Sequence, residues 1–194
     1  MEQPAFDEQA AIAAAIRGDA MAFGLLVRAC QQRAYAVAYS YLRNRDDALE
    51  AVQDAFVQAF RAMNRFEPGR PFYPWLSMIV RNKCLNQLKK RKRRGEQSLE
   101  TLIDAGYDLP DPDAAADGPA QQHALQEQIR AALAQLSPQH REILRLRHLM
   151  ELSYGEIAEA LAIPPGTVMS RLHAARKALR EVLPGDDLEG GMND

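Results

Sequence analysis

Two cysteines in 194 residues leave little room for disulfide or thiolate chemistry. Cys30 and Cys84 stand alone without C-x-x-C spacing, and both sit in helical patterns among apolar neighbours. They read as buried thiols and not as a bridge or a metal pair. Histidine is scarce as well: His123, His140, His148 and His173 are too scattered to suggest a metal site. No apolar run approaches the length of a bilayer span. The apolar stretch Ala10 to Ile16 follows acidic residues and is stopped by Arg17, which is not the charge layout of a secretory leader. A cytoplasmic location without direct membrane insertion is therefore expected. No nucleophile–base set, metal spacing or phosphate-binding glycine loop is found, which argues against an enzyme and implies no cofactor.

Charge of one sign is missing over long stretches, and this is more telling than the net charge of −2. Pro71 to Gly95 holds 8 Lys/Arg and no acid, whereas Glu96 to Gln128 holds 8 acids and no Lys/Arg. Met1 to Arg70 is near balance, Ile129 to Leu183 carries 8 bases against 5 acids, and the tail from Pro184 adds 4 acids. Two basic modules joined by an acidic strap suit a nucleic-acid partner that the overall pI hides.

Strand alternation is absent and helical periodicity dominates, over roughly 7–17, 19–42, 45–64 and 71–92, then 120–135, 138–150, 153–162 and 167–183. The strap, with DLPDPDAAADGP at its centre, buries too little apolar surface to offset its ordering entropy. The expected fold is all-α. Two small helical bundles, 1–94 and 124–183, are joined by a flexible acidic linker, 95–123, and followed by an acidic tail, 184–194.

The most specific motif is SYGEIAEALAIPPGTVMSRLHAARKALREVL, residues 153–183. Ser153 and Glu156 have capping-box spacing, and Ile157, Ala158 and Leu161 form an apolar stripe. Pro164 and Pro165 cannot continue that helix. Gly166 is expected to take the positive-φ turn and Thr167 to cap a second helix. In that helix Val168, Leu172, Ala175, Leu179 and Val182 share one side; Ser170, His173, Ala174 and Lys177 lie opposite, flanked by Arg171 and Arg176. This is a helix-turn-helix, which is first a packing unit and in some proteins a DNA reader.

The helix from Pro74 onward places Leu76, Val80, Cys84 and Leu88 on one face, and Arg81, Asn82 and Lys89 on or near the other. It runs into six consecutive cations, Lys89 to Arg94. Phe66, Phe72, Tyr73 and Trp75 cluster upstream around Gly69 and Pro71. Rings beside cations suit single-stranded nucleic acid, whose bases stack while its phosphates follow the charge. Most of these rings are expected in the core, Trp75 above all, and one surface aromatic would suffice for stacking.

NRFEPGRPFYPWLSMIVRNKCLNQLKKRKRR resembles region two of the bacterial RNA polymerase sigma factors. LSPQHREILRLRHLMELSYGEIAEALAIPPGTVMSRLHAARKALREVL is similar to their region four. With no third folded region between, the chain looks like the extracytoplasmic-function group. The resemblance implies a promoter-specificity subunit whose partners are RNA polymerase core (clamp and flap), promoter DNA and an anti-sigma factor. It implies that helix 45–64 docks on core, held to the bundle by Val52, Phe56, Phe60 and Met63, with Asp47, Glu50, Gln53, Asp54 and Arg61 facing outward. It assigns minus-ten recognition and melting to the loop Glu67 to Tyr73 with Arg81, Asn82, Asn86, Lys89 and Lys90. Minus-thirty-five recognition falls to Thr167, Ser170, Arg171, His173, Arg176 and Lys177. Met169 and Ala174 depart from the family by standing where basic side chains are usual, and Leu49 interrupts an acidic cluster of the docking helix. The acidic strap is expected to thread a basic polymerase channel. The alternative function is a stand-alone helix-turn-helix regulator acting as a dimer on duplex operators.

Overall fold

Side chains that compete with the backbone for hydrogen bonds mark where most of the helices begin. The computed structural model describes residues 6–93, 128–129 and 131–183. Asp7 caps α1 (Glu8–Ile16), Asp19 caps α2 (Ala20–Leu42) and Asn44 caps α3 (Arg45–Ala62), each accepting from amides of the first turn. After a 3-10 turn (Met63–Arg65) and a loop comes α4 (Phe72–Arg93). Its first amide, on Phe72, donates to Glu8 Oε1 at 3.2 Å. The start of α4 is thus held by a side chain of α1.

The described residues divide into two units, and α1 to α4 build the first. Ile12, Leu26, Val37, Leu76, Val80, Cys84 and Leu88 are fully buried in it, and α3 contributes mainly alanines, Ala48, Ala51, Ala55 and Ala59, to the same core. Small side chains let neighbouring helix axes approach closely. Cys30 and Cys84 are free and buried, and burial pushes the Cys30 thiol up to about 11, so it stays protonated and inert.

At one end of this unit the core is aromatic. Phe23 meets Phe60 at 5.0 Å and Phe72 at 6.0 Å, and Phe66 meets Trp75 edge-on at 4.9 Å. Phe66, Phe72 and Tyr73 are buried, and Trp75 is only half-buried. That reverses the expected order, in which Trp75 was the deepest ring. It sits at the rim because Phe72, the first residue of α4, takes the fully buried position. Phe60 meets the bundle through Phe23, as a residue holding α3 in place should, yet it stays 40% exposed because the alanines of α3 take the deepest positions.

The second unit contains a helical stretch over 131–135, α5 (Pro138–Leu144) continuing as a π-helical turn (Arg145–Leu149), α6 (Tyr154–Leu161) and α7 (Pro165–Val182). Ser137 caps α5, with Pro138 at the first helical position where its missing amide costs nothing. Arg141 and Arg145 are buried charges that hydrophobic periodicity does not foresee. Arg141 donates to the Ala134 carbonyl at 2.9 Å, and Arg145 pairs with Glu142 at 2.7 Å.

Ser153 and Glu156 form the expected capping box: the Ser153 hydroxyl accepts from the Glu156 amide, and Glu156 accepts from the Ser153 amide at 2.9 Å. Ser153→Ala is expected to destabilise this unit by about 1 kcal/mol, read as a lower urea midpoint at unchanged slope.

The turn between α6 and α7 differs from the reading of the sequence. Ala162 (φ 53°), not Gly166, takes the left-handed conformation and ends α6. Pro164 is the N-cap of α7 and Pro165 its first residue, so Thr167 lies inside the first turn, its amide bonded to the Pro164 carbonyl at 2.9 Å. The physical reason is that the first amides of a helix have no partner within it. A proline there is at no disadvantage, and the helix starts three residues earlier than a Thr167 cap would set it.

The basic residue Arg94, the acidic strap 95–123 and the tail 184–194 lie outside the described residues.

Candidate nucleic-acid interface

In the second unit α7 has a buried face of Val168, Leu172 and Ala175, packed against α5 and α6. The opposite face presents Ser170, His173, Ala174 and Lys177 to solvent, with Thr167 and Arg171 half-exposed beside them. The Ser170 hydroxyl donates to the Thr167 carbonyl at 3.1 Å. This is the helix face that a major groove admits, with its N-terminal residues nearest the base edges.

Arg176 is placed differently. It is half-buried and stands near His148 of the π turn, whose imidazole is held below its usual value by partial desolvation and by the charges of Arg176 and Arg147. Arg147 in turn lies over the Tyr154 ring at 5.2 Å and donates to the Leu152 carbonyl. Arg176 therefore lies at the flank of the module and not at the centre of the exposed face.

In the first unit the exposed edge of α4 carries Asn82, Asn86, Lys89 and Lys90, with Arg81 half-exposed among them. These residues come together as the sequence predicts. Their neighbours are tied down by α3: Lys83 pairs with Asp54 at 3.2 Å, Gln87 donates to Asp47 at 3.0 Å, and Arg91 pairs with the same Asp47. A polar cleft of about 460 Å³ runs along this seam, lined in part by Glu50, Asp54, Asn82, Asn86 and Lys90.

Asp47 needs correction. Expected on the outward face of α3, its side chain is only 19% exposed and braces α4. The cause is the Asn44 cap, which starts the helix so that Asp47 falls on the turn nearest Arg91. Glu50, Gln53 and Arg61 do face solvent, joined by Leu49, Val57 and Phe60.

The loop 66–71, which joins the 3-10 turn after α3 to α4, is shaped by Gly69 (φ 87°), which accepts a backbone an L side chain resists, and by the Glu67–Arg70 ion pair. It carries no exposed ring. The Tyr73 ring is covered by the Arg33 guanidinium at 3.5 Å, and burial pushes its hydroxyl far above the usual phenol value. Glu8, Arg33 and Asp47 are the supporting residues that sequence reasoning missed or misplaced. Each acts across tens of residues, and no local pattern marks such a contact.

Among the described residues no group of His, Cys, Asp and Glu could hold a metal ion, and no described helix is long and apolar enough to cross a membrane.

A carboxamide-bearing basic helix in one unit and a helix-turn-helix in the other define the class: a DNA-binding protein with two separate helical contact modules. Residues 26–94 match Sigma-70 region 2, and residues 126–179 match Sigma-70, region 4. The chain is 33% identical over 175 residues to the RNA polymerase sigma-H factor of Pseudomonas aeruginosa, covering 86% of this chain and 89% of that protein. It is 31% identical over 172 residues to the ECF RNA polymerase sigma factor SigW of Bacillus subtilis, covering 86% and 91%. The solved structure of the sigma factor RpoE with the anti-sigma factor NepR from Bartonella quintana is similar with a TM-score of 0.59 and 31% identity, over 84% of this chain and 96% of that one. The chain belongs to the sigma-70 family, in its extracytoplasmic-function group, and is a transcription initiation factor.

Proposed function

We propose that this sigma subunit divides promoter recognition between its two units, the first (1–94) docking on polymerase core and opening the minus-ten element, the second (124–183) reading the minus-thirty-five element. The observation that carries the reading is the exposed face of α7, where Ser170, His173 and Lys177 stand clear of the core formed by Val168, Leu172 and Ala175. Arg171 and Lys177 supply charge to base edges and phosphates, Thr167 and Ser170 supply hydroxyls, and Arg176 holds a flanking phosphate.

On α4, Asn82 and Asn86 offer both donors and acceptors to the pairing edge of an unstacked base, while Arg81, Lys89 and Lys90 follow the adjoining phosphates. With the loop rings buried, stacking falls to the half-buried Trp75 alone. Glu50, Gln53 and Arg61, with Leu49 and Val57, form the surface offered to the polymerase clamp, with Asp54 at its edge; Asp47 serves it indirectly by bracing α3 against α4. Polymerase supplies the catalysis, so the chain is not itself an enzyme, and it acts in the cytoplasm. An anti-sigma factor is the expected regulator, since a solved structure similar to this chain, that of RpoE, holds the anti-sigma factor NepR.

The test is transcription by purified core with and without the protein on a genomic library, with start sites mapped. Core plus protein should initiate at a defined set of sites sharing two elements, and free protein should bind the same duplexes poorly. Tight, core-independent binding to one palindromic element would instead identify a dimeric operator-binding regulator. In the same assay Asn82→Ala should relax selectivity at one minus-ten position while core binding is retained. Full discrimination at every position would remove Asn82 from the reading role.

A further inference from the structure

Met169 is 60% exposed in the second turn of α7, while the residue before it, Val168, is fully buried. A helical side chain leans back over the turn preceding its own Cα. Met169 therefore leans toward the turn that holds Gly166, which is exposed, has no Cβ and has open space above it. On its other side, one turn on, stands exposed His173. The N-terminal end of the reading face thus offers a flexible, exposed apolar arm, at the part of the helix that sits nearest base edges when a helix-turn-helix docks.

The chemistry of that arm limits what it can read. A thioether donates no hydrogen bond and accepts only weakly, so it leaves the O6 and N7 of guanine, or the amino group of cytosine, stripped of water and unpartnered. The major groove offers one apolar group, the 5-methyl of thymine. A methyl buried against an unbranched, polarizable chain gains contact area at no hydrogen-bond cost, and methionine adapts to its exact position.

We infer that Met169 is a specificity-determining residue that selects thymine, through its 5-methyl group, at one position of the upstream element. The inference rests on the reading of α7 as the minus-thirty-five reader, and it adds that part of this recognition is apolar.

The experiment uses holoenzyme assembled from core and the full chain. A preferred upstream element is first selected from a randomised duplex, and each of its thymines is then replaced singly by deoxyuridine, which removes only the methyl. At one position the uracil duplex should be bound about four-fold more weakly by the wild-type holoenzyme, the effect of one buried carbon. Holoenzyme carrying Met169→Ala should bind both duplexes alike at that position, and Met169→Arg should shift the preference there to guanine. Absence of any uracil effect in the wild type, or its persistence in Met169→Ala, overturns the proposal. A Lys177→Ala arm separates the two levels: if upstream-element binding is unaffected by it, α7 is not the reader and both readings fall. If Lys177→Ala weakens binding and uracil is tolerated everywhere, only the role of Met169 is lost.

Discussion

Holoenzyme carrying Arg171→Ala together with Lys177→Ala is expected to initiate about a hundred-fold less often from a promoter that depends on its minus-thirty-five element. Each change removes a cation from the face of α7 that the core leaves free, and each lost contact is worth about ten-fold in occupancy. Neither residue packs the module: Lys177 is exposed, Arg171 is half-exposed, and the hydrophobic face of Val168, Leu172 and Ala175 is untouched. The loss should thus appear in binding and not in folding. The two residues separate by mechanism. A phosphate contact weakens all sequences alike and lowers the salt slope by about one, whereas a base contact relaxes selectivity at one position at nearly unchanged slope. Binding measured at several salt concentrations on the preferred duplex and on point variants assigns each. A double variant that initiates normally from such a promoter would move the reader away from α7.

How far this interface could be read in advance depends on the range of the forces that build it. The buried faces of α4 and α7 follow from apolar spacing alone, and Leu76, Val80, Cys84 and Leu88, like Val168, Leu172 and Ala175, lie where a period of 3.6 residues puts them. Ser137 and Ser153 cap the helices they were expected to cap, because capping is settled within one turn. The start of α7 was misread because two prolines and a glycine look like a turn, and local pattern does not distinguish a proline that ends one helix from a proline that opens the next. Asp47 was misread for a different reason. Its carboxylate looks solvent-bound until α4, forty residues later, brings Arg91 and Gln87 against it. The pairing of Glu8 with the Phe72 amide is of the same kind. Contacts between distant elements decide which of several similar charged residues face outward, and they leave no periodic trace.

Glu142→Ala is expected to cost the second unit about 3–5 kcal/mol, a large share of the stability of a small domain. Arg145 is buried, its side chain only 4% exposed, and Glu142 Oε2 lies 2.7 Å from its guanidinium. Removing the carboxylate does not remove the guanidinium, which cannot shed its proton and must keep its charge inside the unit or drag the π turn open to reach water. Replacing both partners is a different matter. Glu142→Leu with Arg145→Met takes away the ion pair and its desolvation cost together, fills similar volume, and should recover most of the loss. The single tryptophan of the chain, Trp75, belongs to the first unit, so its fluorescence follows that unit, and amide exchange over 157–175 follows the second. The single variant should lose protection over 157–175 while the Trp75 transition keeps its midpoint, and minus-thirty-five-dependent initiation should fall with that protection. The double variant should regain both protection and initiation, since neither residue lies on the exposed face of α7. Unchanged protection in Glu142→Ala would mean that the other groups around Arg145 hold its charge without the carboxylate, and that the fold of the reader does not depend on this pair.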